Sequence, residues 1–90
     1  MMSDDLTQRF IKREAEKRYN RIVDYAKKHK DYNQIRRVIW YAESYLYGIG
    51  EALVEVGCLG YNENDYAVAE LRKLLKYDDV LLEYGFLEEL

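Results

Sequence analysis

The sequence predicts an all-α fold, a compact three- or four-helix bundle with a long basic N-terminal helix. Three observations lead there. Apolar residues recur at helical spacing in successive segments. No stretch alternates at period two for long enough to form a strand. Proline is absent from all 90 residues, which suits helices with short connections better than a loop-rich chain that draws on proline for its turns. The length suits one domain over 1–90. Its 49% hydrophobic content is too high for a disordered chain, even with 34% charged residues.

The first helix is expected over about 4–29. Ser3 is its candidate N-cap, and Asp4 and Asp5 complement the dipole in the first turn. Ile11, Ala15, Tyr19, Ile22 and Ala26 draw one apolar stripe. Arg9, Arg13, Lys17, Lys27 and Lys28 fall opposite it, while Leu6 and Phe10 lie four apart on the basic side. Lys27-Lys28-His29-Lys30 puts positive charge at the helix C-terminus, where the dipole favours it.

Asp31 starts the second helix, about 32–56, with Gln34 at capping-box spacing. Its main stripe reads Ile35, Val38, Ala42, Tyr45, Leu46, Ile49, Leu53 and Val56. A second stripe, Trp40, Tyr47 and Val54 at intervals of seven, predicts a central helix covered on two sides. Gly48 and Gly50 each cost about 1 kcal/mol relative to Ala in a helix interior, so a close crossing or a kink is expected there.

Gly57 suits the left-handed position that ends a helix. Asn62 or Asn64 then caps a third helix, about 63–76, with the stripe Ala67, Leu71, Leu74 and Leu75. Asp78 caps a short fourth helix, about 78–84, which Gly85 breaks.

Charge is divided along the chain. The formal net charge is −3, yet residues 6–37 hold eleven Lys/Arg against four Asp/Glu, and residues 38–90 hold three against eleven. Two candidate faces follow. Arg9, Lys12, Arg13, Lys17, Arg18 and Arg21 could meet phosphates or an acidic partner. Glu51, Glu55, Glu63, Asp65, Glu70, Asp78 and Asp79, with Glu83, could occupy a basic groove on another protein. Glu43, Glu51 and Glu70 could instead absorb part of the basic charge internally. The pI of about 5.2 weighs against a nucleic-acid domain.

Aromatic residues give the third candidate. Tyrosine supplies ten positions against two Phe and one Trp. Trp40, Tyr41, Tyr47, Val54 and Phe10 form the candidate protein interface, since Trp and Tyr anchor contacts between proteins. A homodimer through this surface is expected as one outcome.

Catalytic and metal chemistry find little material. One His, one Cys, two Ser and one Thr leave His29 and Cys58 as the nucleophile–base pair to consider. Cys58 follows a helix C-terminus, where the dipole opposes thiol reactivity. One Cys and one His cannot build a zinc finger. Asn62-Glu63-Asn64-Asp65 lacks the later ligands and glycine of an EF-hand loop. Gly48-Ile49-Gly50 has Leu53 where a dinucleotide fingerprint needs its third glycine. Catalytic residues, metal ligands and cofactors are therefore expected to be absent.

The longest apolar run, Val38 to Ala42, is far below the ~18–20 residues that span a bilayer. The first residues lack the basic and apolar regions of a secretory signal, so a cytoplasmic location without membrane contact is expected. The expected function is that of a small non-enzymatic regulatory or inhibitory protein acting by protein–protein contact. Its size and missing chemistry suit an accessory protein of a phage or mobile element. Nucleic-acid binding through the first helix is the alternative.

Overall fold

A computed structural model of the chain describes residues 5–82. The expected cap at Ser3, the dipole contribution of Asp4, the acidic candidate Glu83 and the break at Gly85 lie outside the described residues. Within them the architecture is all-α, with helices α1 (Asp5–His29), α2 (Tyr32–Glu55), α3 (Tyr66–Leu75) and α4 (Asp79–Leu82). A 3-10 turn, Tyr61–Glu63, precedes α3.

Only Lys30 and Asp31 separate α1 from α2, so the two helices form a hairpin. The Asp31 carboxylate accepts from the Gln34 N–H at 3.1 Å, which satisfies one of the free amides opening α2. At the far end Gly57 takes φ +80°. There the Cys58 N–H bonds the Leu53 carbonyl at 2.8 Å, and the Gly57 N–H bonds that of Val54 at 3.1 Å. This is a Schellman ending, which reverses the chain and satisfies two carbonyls.

The core runs along the hairpin. Ile11, Ala15, Ile22 and Ala26 of α1 meet Ile35, Ile39, Ala42 and Leu46 of α2 and Ala67, Val68, Leu71 and Leu75 of α3. The α1 stripe is the expected one, with Tyr19 half-buried at its edge. On α2 the buried seam instead follows Ile35, Ile39, Ala42, Leu46 and Gly50. Val38, Ile49 and Leu53 pack at its margin, while Tyr45 and Val56 are exposed.

Two further expectations are corrected. The helix that touches most neighbours is α1, which packs on α2, α3 and α4. And α2 is covered on one side only among the described residues: Trp40 is 61% and Tyr47 43% exposed. The reason is length. A 24-residue α2 spans about 36 Å and a 10-residue α3 about 15 Å, so α3 fills the groove between α1 and α2 without wrapping the outer side of α2.

Helix α3 starts at Tyr66, later than 63, because the 3-10 turn takes up the first residues. The Gly60 N–H donates to the Glu63 carboxylate at 3.2 Å, and the Glu63 N–H returns to the Gly60 carbonyl at 2.9 Å. The expected caps are corrected as well: Asp65, not Asn62 or Asn64, occupies the position before α3, and without a side-chain cap bond. The turn also explains Gly50, since a Cβ there would fall on the Asn64 carbonyl. Gly48 has no such reason: among the described residues nothing lies within 4 Å of where its Cβ would be.

Asp78 caps α4 as expected. One carboxylate oxygen accepts from the Val80 and Leu81 N–H groups at 2.9 and 3.1 Å. The other accepts from the Tyr19 hydroxyl, which ties the end of the described chain to α1.

Candidate interaction surface

Among the described residues, the middle of α2 exposes a cluster of aromatic side chains. Trp40, Tyr41, Tyr45 and Tyr47 occupy two consecutive turns and are all exposed. The rings of Trp40 and Tyr41 lie 5.4 Å apart with 47° between their planes. Trp40 and Tyr47 edge a shallow depression completed by Glu43, Val68 and Arg72. The Arg72 Nε–H donates to Glu43 at 2.7 Å across the α2–α3 joint. Val54 is half-buried against the core, so it supports this surface from beneath.

One turn further, Tyr47, Glu51, Val54, Glu55, Tyr61 and Asn64 line a second depression. The Tyr47 hydroxyl accepts from the Asn64 amide at 3.3 Å. It also bonds the Glu51 carboxylate, whose hydrogen bond and charge raise the Tyr47 pKa. Burial, followed by the charge of Glu70, raises that of Tyr66.

The opposite flank of α2, toward α1, is basic. The side chain of Arg18 is only 12% exposed, is paired with Glu14 at 2.9 Å, and lies over the Tyr45 ring at 4.0 Å. It therefore joins two helices and is withdrawn from the open basic face. The sequence carried the signal: Ile11, Ala15, Arg18 and Ile22 step by 4, 3 and 4, which places Arg18 on the buried stripe. Arg9, Lys12, Arg13, Lys17 and Arg21 are exposed, as is Phe10 beside them. Lys17 also pairs with Glu14, at 3.3 Å.

The acidic candidates do not gather on one face. Glu51 and Glu55 stand on the outer side of α2. Glu63 closes the 3-10 turn, Glu70 pairs with Lys73 at 3.2 Å, and Asp78 is buried as a cap. Asp65 and Asp79 are exposed on separate elements. Glu43, Glu51 and Glu70 thus engage Arg72, Tyr47 and Lys73, and α1 balances two of its cations with its own Glu14.

His29 ends α1 with its ring stacked on Tyr25 at 4.3 Å, and Cys58 follows α2. The 24 residues of α2, about 36 Å of helix, stand between them, so they form no nucleophile–base pair. Among the described residues no group of three or more His, Cys, Asp or Glu side chains could hold a metal ion. No helix among them is long and apolar enough to cross a membrane.

Sequence reasoning missed two residues on the outer side of α2. Arg37 and Ser44 are exposed there beside Trp40, Tyr41 and the already singled-out Gly48. Counting turns from Ile39 would have placed them opposite the core. No protein-family model, curated protein or solved structure matches the chain, so its own surface carries the functional reading.

Proposed function

We propose that this chain is a small non-enzymatic binding module that acts through protein–protein contact, with the outer side of α2 as its working surface. One observation carries the reading: Trp40, 61% exposed, stands beside Tyr41 on a helix whose opposite side is fully packed. Large aromatic side chains clustered in the open mark contact sites, because a partner that covers them removes much apolar area from water and orders few side-chain torsions. A regulatory or inhibitory role fits a module of this kind.

The test is affinity capture from lysate with wild type and with the Trp40→Ala, Tyr47→Ala variant. Both positions are exposed, so the variant is expected to keep its helicity by circular dichroism. Proteins recovered only by wild type are the expected result. Identical sets from both baits would sink the reading.

A second reading rests on the exposure of Lys12, Arg13 and Arg21, none of which has a carboxylate partner among the described residues. Such a face can bind nucleic-acid phosphates, with affinity that falls steeply as salt rises. Charge reversal at Arg13, Lys17 and Arg21 should then abolish a mobility shift seen at low salt. The absence of any shift at low salt removes this reading.

A further inference from the structure

We infer that the partner on the outer side of α2 is a second copy of this chain, docked with the two α2 helices antiparallel and crossing at Ser44 and Gly48. This rests on the reading of that side as a contact surface and names its occupant.

The first argument is Gly48. It sits inside a helix, where glycine costs about 1 kcal/mol relative to alanine. Its φ is not positive, and nothing among the described residues approaches the place of its missing Cβ. Gly50, two residues on, is glycine because the Asn64 carbonyl occupies that place. Gly48 faces outward, one turn from the small, exposed Ser44. Small residues one turn apart let a second helix approach more closely than the usual 8–10 Å between axes.

The second argument is the order of charge along the same side. Arg37 lies toward its N-terminal end, and Glu51 and Glu55 toward its C-terminal end; all three are exposed. A two-fold axis midway between Ser44 and Gly48 sets Ser44 opposite Gly48 of the second copy. The same operation sets Arg37 opposite Glu55, Tyr41 opposite Glu51 and Trp40 opposite Ala52. Because the interface is two-fold, each pairing occurs twice. A parallel arrangement would place Arg37 on Arg37 and Glu55 on Glu55, and like charges in apposition are repelled. The self-complementary charge order therefore selects both the occupant and its direction.

The test is light scattering across a concentration series, with wild type, Arg37→Glu, Glu55→Arg and the double variant. Wild type is expected at twice the 10.8 kDa chain mass. Each single reversal sets like charges together at both pairings and should weaken dimerisation at least ~10-fold. An equimolar mixture of the two single variants restores opposite charges at both pairings, so it should form a heterodimer. The double variant should dimerise like wild type. All three substituted chains are expected to keep wild-type helicity, because both positions are exposed. A wild-type mass of 10.8 kDa at every concentration overturns the inference. So does a dimer indifferent to both reversals, or single variants that fail to recover on mixing. If wild type is monomeric while its capture of another protein still depends on Trp40, self-docking alone falls and the binding-module reading stands.

Discussion

The two sides of α2 carry glycines two residues apart and large apolar side chains six residues apart, and each pair answers to different surroundings. Inward, Gly50 makes room for the Asn64 carbonyl, and Leu46 is wholly buried. Outward, Gly48 meets nothing among the described residues, and Trp40 is 61% exposed. The inner side is accounted for by the fold. The outer side has residues of equal cost to the helix and no internal return for them, and such a mismatch between sequence and environment directs attention to contact with other molecules.

Substitutions can break or sharpen this contrast. Leu46→Ala should cost about 3 kcal/mol in urea unfolding, since it empties a closed site between α1, α2 and α3. Trp40→Ala removes a larger side chain yet should cost about 0.5 kcal/mol or less in the monomer; equal losses would erase the distinction. Gly50→Ala forces a Cβ against a backbone carbonyl, and about 2 kcal/mol of destabilisation is expected from the shift of the 3-10 turn. Gly48→Ala should move stability the other way. At dilutions where the chain is monomeric, a gain of about 1 kcal/mol is expected, and a loss would show that Gly48 serves the folded chain itself.

The smallest effect concerns tyrosines. The hydrogen bond to Asp78, then burial, then the charges of Asp78 and Asp79, push the inward Tyr19 up to about 12 from its ordinary 10. The protonated phenol is the form held in the fold. Its contribution is complete below pH 10 and is lost as pH rises from about 10 to 12. Tyr19→Phe should remove that part of the alkaline loss of stability in denaturant titrations, whereas Tyr47→Phe, whose phenol is also raised by Glu51 but stands exposed on the outer rim, should change the curve less.

Local signals were the legible ones. Asp31, Gly57 and Asp78 act within a few residues of themselves, so their capping roles follow from spacing alone. The α1 stripe was equally plain, because the rest of α1 is strongly polar. The orientation of α2 was not. Apolar residues extend round much of its circumference, and Val38, Tyr45 and Val56 fit a stripe as well as Ile39 does. Which side turns inward is decided by α3, whose position depends on the Asn64 carbonyl meeting Gly50, a contact no periodicity reports. Arg18 was misplaced for a related reason: its charge suggested the surface, while its spacing put it in line with Ile11, Ala15 and Ile22. For the candidate surface, the sequence supplied Trp40, Tyr41, Tyr47 and the unexplained cost of Gly48, and the packing added Arg37 and Ser44.

The packing of α1 has a consequence for how the chain comes into being. Its apolar stripe is covered largely by α3, and Tyr19 is held by Asp78, far along the sequence. At roughly 5–20 residues per second, a ribosome takes several seconds to make the intervening stretch. Through that interval Ile11, Ile22 and their neighbours have only α2 to shelter against. Until α3 is made, α1 and α2 are the only helices available to cover each other, and the Lys and Arg of residues 6–37 give that stretch a net positive charge.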